Sequence, residues 1–309
     1  MSIAILVEKR YGLRWKNALS EQLPDVKIFQ VGESEEALQA EFLICWKPKQ
    51  NQLQEFPNLK VVQSLGAGVD HIFDTNVVPD HIQVIRMIDK QLAEDMWEYL
   101  LATALYCIRG FELYKQQQNQ HLWKQHRYSN IANTTLSILG LGQIGAYAAQ
   151  QFSKLGFTVK GWSKTEKTIK GVESFAGDSA FPDCLKDTQI LINLLPLTPA
   201  TQGILNQKNL IHLPKGAFLI NAGRGGHQVE ADILNLLEVG HLKGAILDVF
   251  EQEPLPKEHP FWKHPKIMIT PHIASITNIQ STVNQVVENY RRMKKGLDLL
   301  NTVDVRKGY

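Results

Sequence analysis

The sequence predicts an α/β protein built on parallel sheets, and three observations carry that expectation. Short β-branched and aliphatic runs recur through most of the 309 residues. The stretches between them are longer and amphipathic, and one strand–turn–helix junction carries glycines in a fixed spacing. Runs that are apolar throughout suit strands buried on both faces, and the helices between them suit crossovers joining parallel neighbours.

Taken in order, the runs are IAILVE, VKIFQV, FLICW, KVVQSLG and IQVIRMI, then LSILG, FTVKGW, ILINLLP, AFLINAG, GAILDVF and KIMITPH. Between the two groups a helical pattern extends from about Gln91 to Gln125 with one glycine and no proline, long enough to join two domains. A second helical pattern extends from Asn278 to about Lys295. The glutamine-rich KQQQNQH within the first pattern reads as a solvated helix face.

Composition bounds the function. With 44% hydrophobic and 21% charged residues the chain can fill one large or two ordinary cores. A formal charge of +2 gives no broad basic field, so neither nucleic acid nor an anionic membrane is an expected partner. Cys45, Cys107 and Cys184 stand far apart with no CxxC pair, which predicts neither a disulfide framework nor a cysteine-rich metal site and fits a reducing cytoplasm. The opening MSIAILVEKR reaches charge after a few apolar residues and reads as a first strand rather than a signal peptide. No apolar run approaches the roughly 20 residues of a membrane-spanning helix.

The glycine spacing falls in LSILGLGQIG, where Gly140, Gly142 and Gly145 form GxGxxG directly after a strand. A helix former, QIGAYAAQQFSKLG, follows, and then the strand FTVKGW, completing a βαβ unit. Gly140 permits the tight turn, Gly142 close approach to a pyrophosphate, and Gly145 close helix–strand packing. The helix beginning at Gln143 and Ile144 offers unpaired N–H groups and partial positive charge to the phosphates. At the end of FTVKGW, where NAD would require an aspartate for its ribose hydroxyls, the chain has Ser163, Lys164 and Thr165. Two hydroxyls and a cation suit a 2′-phosphate, so NADP(H) is the expected cofactor, with NAD(H) possible.

Three later strands end in polar residues: Arg224 after AFLINAG, Asp248 and Glu253 after GAIL, and His272 after KIMIT. In a parallel sheet these ends share one edge with the glycine turn. Histidine as acid/base, a glutamate orienting it, and a permanently charged arginine for a carboxylate or keto oxygen form a set for reducing a carbonyl beside a carboxylate.

In GAGVDHI, GLGQIG, LPLTPATQGILN, INAGRGG, LDVFEQEPLP and TPHIAS the chain resembles the D-2-hydroxyacid dehydrogenases, over nearly its whole length. The resemblance implies two Rossmann-like or flavodoxin-like parallel-sheet domains with an interdomain active-site cleft. The substrate domain would be discontinuous, residues 1–100 plus 278–309, and the dinucleotide domain residues 101–277. It places Arg224, Glu253 and His272 at the catalytic positions and Asp248 at the nicotinamide amide. Ala222 and Gly223 would line the cofactor, and Leu195 and Pro196 its adenosine side. Backbone N–H groups near Ala67 and Gly68 would hold the substrate carboxylate, and Trp46 would wall the substrate pocket, a core tryptophan being the alternative. Arg127 and Tyr128 receive no role. The similarity is greatest to members that reduce glyoxylate and hydroxypyruvate, and it implies a homodimer. A bulkier 2-keto acid, or a dinucleotide-sensing role without turnover, are the competing expectations.

Overall fold

In the computed structural model, which describes residues 2–304, the chain divides into two compact units. One comprises the residues up to Leu92 together with those from Ile276 onward, and the other is Ala93–Ser275.

The first unit is built on five parallel strands: β1 (Ser2–Leu6), β2 (Lys27–Gln30), β3 (Phe42–Cys45), β4 (Val61–Ser64) and β5 (Gln83–Ile85), in the order β2-β1-β3-β4-β5. That is the flavodoxin-like order, and the direction of winding reverses between β1 and β3. β3 is buried at all four positions, as its unbroken apolar run requires. The helices Lys9–Gln22 and Ile279–Lys295 cover one face through Trp15, Leu19, Val283, Val286 and Tyr290. The second of these helices begins at Asn278, whose side chain accepts from Gln280 N, and stops at Gly296 in the left-handed region (φ 64°).

The second unit holds seven parallel strands: β6 (Thr135–Leu139), β7 (Thr158–Ser163), β8 (Val172–Ala176), β9 (Ile190–Asn193), β10 (Ala217–Asn221), β11 (Leu242–Leu247) and β12 (Ile267–Ile269). Their order is β12-β11-β10-β9-β6-β7-β8, so the winding reverses between β6 and β9, the place where such folds receive ligands. Two apolar clusters fill the two faces. Register aligns the carboxyl ends: Trp162 pairs with Leu139, Leu139 with Asn193, Asn193 with Asn221, Asn221 with Leu247 and Leu247 with Ile269. The loops that follow this row therefore leave one edge side by side.

Two expectations require correction. The pattern from Gln91 to Gln125 is not one helix: it comprises Lys90–Arg109 and Phe111–Asn119, broken at Gly110, which adopts φ 65°, and residues 122–130 carry no helix. The single glycine in the pattern is the break, because a left-handed residue ends the i to i−4 ladder. Nor is the glutamine run wholly solvated, since Gln117 is buried with its Nε2 3.0 Å from His126 Nε2, and Gln116 Nε2 donates to Pro265 O at 3.2 Å. Strand β8 has no counterpart among the apolar runs; it lies at the sheet edge, only partly buried, and its VESFA sequence carries no continuous apolar signal.

Candidate active site

The loop between β6 and the helix Gln143–Leu155 is shaped by its glycines. Gly140 adopts φ 100°, and a Cβ there would stand 2.8 Å from Leu194 O. At Gly145 a Cβ would fall on Gly140 O, so helix and strand close to a distance only glycine allows. Gly142 differs: a Cβ would meet nothing within 4 Å, and as the N-cap it offers no side chain to the first turn. Open space beside the uncapped N–H groups of Gln143 and Ile144 fits a pyrophosphate. At the end of β7, Ser163 is buried and its Oγ donates to Thr165 O at 2.7 Å, while Lys164 and Thr165 stand exposed beyond it.

Asp248, one residue past β11 and only 1% exposed, organises the segment after β12. Its Oδ1 accepts from Thr270 Oγ1 (2.6 Å) and Ile273 N (2.9 Å), its Oδ2 accepts from Ala274 N (2.9 Å), and its carbonyl accepts from His272 N (2.8 Å). Thr270 gives its one hydroxyl proton to the carboxylate, so Tyr99 must be the donor in the 2.7 Å contact between Tyr99 Oη and Thr270 Oγ1. Burial pushes the Tyr99 phenol upward and keeps that proton in place. Wrapped around this carboxylate, His272 sits at φ 55°, in the left-handed region that histidine enters more readily than most non-glycine residues.

The imidazole of His272 meets Glu253: Nδ1 lies 2.9 Å from Oε2, and Glu253 Oε1 accepts from Phe250 N at 3.1 Å. A carboxylate accepts, so Nδ1 carries a proton. With side chains 28% and 19% exposed, the pair is screened from bulk water yet reachable.

Arg224 leaves the neighbouring strand end, three residues past Asn221, and is partly buried with Nη1 donating to Gly223 O at 2.8 Å. Two strand spacings, about 10 Å, separate the ends of β10 and β12, a span that a guanidinium and an imidazole with one small molecule between them can bridge. Ala222 and Gly223 are buried at the root of the Arg224 loop, Leu195 is 7% exposed, and Pro196 is exposed.

In the first unit, Trp46 lies over Gly66, where a Cβ would come 2.5 Å from the indole. Ala67 and Gly68 follow, half-buried. Beneath the loop is His71, whose Nδ1 accepts from Lys47 N (3.2 Å) and whose Nε2 lies 3.1 Å from Ser64 Oγ. Ser64 Oγ in turn donates to Gly68 O (2.8 Å) and accepts from Gly66 N (3.2 Å). The Trp46 and His71 rings are 4.3 Å apart.

Sequence reasoning missed His71, Ser64, Thr270 and Tyr99, and also a buried set formed by Asn193, Asn221 and His227. The available signal was a polar residue within or just after an otherwise apolar run: Ser64 in KVVQSLG, Asn193 in ILINLLP and Asn221 in AFLINAG.

An uncapped glycine loop at the switch point of a doubly wound sheet, with a histidine–glutamate pair and an arginine on the same edge, defines the class: a nicotinamide-dinucleotide oxidoreductase. Residues 101–274 match the family described as D-isomer specific 2-hydroxyacid dehydrogenase, NAD binding domain. Glyoxylate/hydroxypyruvate reductase A of Yersinia enterocolitica is 40% identical over 301 residues, 96% of each chain, and that of Serratia proteamaculans 41% over 302 residues, again 96% of each. Among solved structures, a D-isomer specific 2-hydroxyacid dehydrogenase from Xanthobacter autotrophicus Py2 in complex with NADPH and MES superposes with a TM-score of 0.92 at 36% identity, covering 100% of this chain and 99% of that one. The NADPH-dependent glyoxylate/hydroxypyruvate reductase of Sinorhizobium meliloti, in complex with NADP and sulfate, gives 0.92 at 34% identity with both chains fully covered. The chain belongs to the D-isomer specific 2-hydroxyacid dehydrogenases.

Proposed function

We propose that this protein reduces glyoxylate and hydroxypyruvate to glycolate and D-glycerate with NADPH. The observation that carries the reading is the 2.9 Å His272–Glu253 pair on the sheet edge that also bears the Gly140–Gly145 loop. Support comes from the reductases that the chain resembles and from the NADPH and NADP held by its structural neighbours. The unit Ala93–Ser275 is the dinucleotide domain in this reading, and the other unit binds substrate.

Bound NADPH would supply a hydride to the carbonyl carbon. The residues of the chain do the rest. Glu253 holds the Nδ1 proton of a charged His272, and Nε2 gives its own proton to the carbonyl oxygen as the C=O π bond is lost. Arg224 holds the keto oxygen or the carboxylate through its forked donors. Backbone N–H groups at Ala67 and Gly68 take the substrate carboxylate, and Trp46 walls the pocket. Gly140, Gly142, Gln143, Ile144 and Gly145 take the pyrophosphate, and Ser163, Lys164 and Thr165 the 2′-phosphate. Ala222 and Gly223 line the cofactor, and Leu195 and Pro196 its adenosine side. Asp248 has one carboxylate lone pair, on Oδ2, beyond those its three donors use, and from it could accept the carboxamide N–H.

Steady-state kcat/KM for a series of 2-keto acids, each with NADPH and NADH, tests the proposal. Preference for NADH would overturn the cofactor assignment. Turnover confined to bulkier keto acids would overturn the substrate.

A homodimer in a reducing cytoplasm completes the reading. Trp123 is 98% exposed and Leu122 50%, in the non-helical stretch after Phe111–Asn119, an apolar display suited to a second copy. Cys45, Cys107 and Cys184 are buried and unpaired, and burial pushes the Cys45 and Cys184 thiols up to about 12, a state a reducing compartment preserves. Among the described residues no helix is long and apolar enough to cross a membrane.

A further inference from the structure

His227 is fully buried two residues beyond Gly225, in the loop that carries Arg224. Its Nε2 lies 3.2 Å from Pro196 O, an atom that can only accept, so Nε2 bears the proton. Its Nδ1 receives Arg224 N at 3.2 Å and Asn193 Nδ2 at 2.9 Å, both donors, so Nδ1 bears none. The ring is therefore neutral with a single defined tautomer. Asn193 and Asn221 extend the set. Asn193 Nδ2 donates to Asn221 Oδ1 (2.9 Å), Asn193 Oδ1 accepts from Leu195 N (3.3 Å), Asn221 Nδ2 donates to Arg224 O (3.1 Å), and Asn221 Oδ1 accepts from Gly223 N (3.1 Å). Arg224 is thus held at both its backbone N–H and its carbonyl by buried side chains, and the same side chains hold Leu195 and Pro196. Gly223 is packed against them, for a Cβ there would stand 2.9 Å from Asn193 Nδ2 and 3.2 Å from His227 Nδ1.

We propose that His227 is a positioning residue, a neutral imidazole that ties the loop of the substrate-binding Arg224 to the Leu195–Pro196 cofactor loop. The proposal rests on the assignment of Arg224 and of that loop made above. Its physical content is a coupling: the β9 and β10 loops cannot shift separately while one ring bonds both. Because the two nitrogens perform separate tasks, they separate by substitution. Asparagine offers an oxygen near the Nδ1 position but does not reach Pro196, so it keeps the Arg224 bond and drops the cofactor-loop bond. Leucine keeps the bulk and drops both, taking the ring acceptor from Arg224 N and from an Asn193 N–H.

The test takes the full-length enzyme and its His227→Asn and His227→Leu variants. Expected is a kcat/KM for the keto acid that falls by roughly thirtyfold to a hundredfold in His227→Leu, a misplacement effect. In His227→Asn the kcat should recover to within about threefold of wild type while KM for NADPH stays raised by about tenfold, the loss of one buried hydrogen bond. Nitrogen NMR of the wild-type protein, which needs no variant to fold, should show a pyridine-like Nδ1 and a pyrrole-like Nε2 for His227. Equal impairment of both variants with no recovery in asparagine would mean that the two nitrogens have no separable tasks and would overturn the proposal. Unchanged kinetics in His227→Leu, or an Nδ1-protonated ring, would overturn it as well. Arg224→Ala serves as the control on the underlying reading. If it abolishes turnover while the His227 variants are silent, only the coupling falls, and if it retains full turnover, the assignment of Arg224 falls first and the coupling with it.

Discussion

Two loops that follow strand ends are anchored from below in opposite ways. The Thr270–Ala274 segment after β12 wraps around the carboxylate of Asp248, which accepts three hydrogen bonds from it. The Gly66–Gly68 loop after β4 is held by the ring of His71 through Ser64. The first anchor is an anion and the second is neutral, since His71 Nδ1 already accepts from Lys47 N and its proton must be on Nε2. The difference follows from what each loop presents. His272 is proposed to act as the proton donor, a role that a carboxylate beneath its segment does not oppose. The glycine loop is proposed to present N–H groups to a substrate carboxylate, and a second carboxylate under it would repel that ligand across a low-dielectric gap. A neutral ring holds the loop without that penalty.

If that contrast is right, the largest effect should come from the group that the charged anchor serves. His272→Ala is expected to lower kcat by roughly a hundredfold to ten-thousandfold with NADPH affinity unchanged, as removal of a general acid does. Kinetics and fluorescence titration of the cofactor together measure this. Turnover at the wild-type rate would break the comparison and favour a sensing role.

Next comes the anchor itself. Asp248→Asn keeps the shape but turns an amide N–H toward donors, because Thr270 Oγ1, Ile273 N and Ala274 N all give protons to this side chain. Each charge-assisted bond is worth about 1.5–3 kcal/mol, so the melting temperature should fall by about 5–10 °C and kcat should fall with it. His71→Leu should be milder and of a different kind. It leaves Lys47 N without its ring acceptor and loosens Ser64, so KM for the keto acid should rise by about tenfold while kcat and KM for NADPH hold. A fall in kcat equal to that in Asp248→Asn would erase the distinction between the two anchors.

The same contrast marks how much was legible in the sequence. Groups proposed to do chemistry stood out because they end apolar runs: Arg224 after AFLINAG, His272 after KIMIT, and the glycines after LSIL. The strands stood out for the same reason, except β8, whose edge position allows Glu173 and Ser174 to interrupt it. Anchors did not stand out. His71, His227 and Asn193 are polar residues that each have one partner far along the chain, 24, 31 and 28 residues away, and no letter beside them distinguishes a buried, satisfied histidine from a solvated one. The break at Gly110 was visible as a letter but not as a conformation, since an isolated glycine is tolerated inside many helices.

The smallest effect is expected at Lys164, which no buried anchor positions. Ser163 is buried and bonded to Thr165 O, whereas Lys164 extends from an exposed turn as a point charge on a flexible stem. Its contact with a 2′-phosphate would be charge-assisted but open to water and salt, worth about 1 kcal/mol. Lys164→Ala should therefore raise KM for NADPH by roughly fivefold and leave that for NADH alone. Raised salt should narrow the gap between wild type and variant, because screening weakens only the interaction that the variant lacks. Lys164→Arg should move the preference the other way, as a planar fork meets two phosphate oxygens at once. Equal changes for both cofactors in Lys164→Ala would mean that the side chain supports the turn rather than the phosphate, and NADPH selection would then fall to Thr165 and to Ser163, whose hydroxyl would have to leave Thr165 O to reach the phosphate.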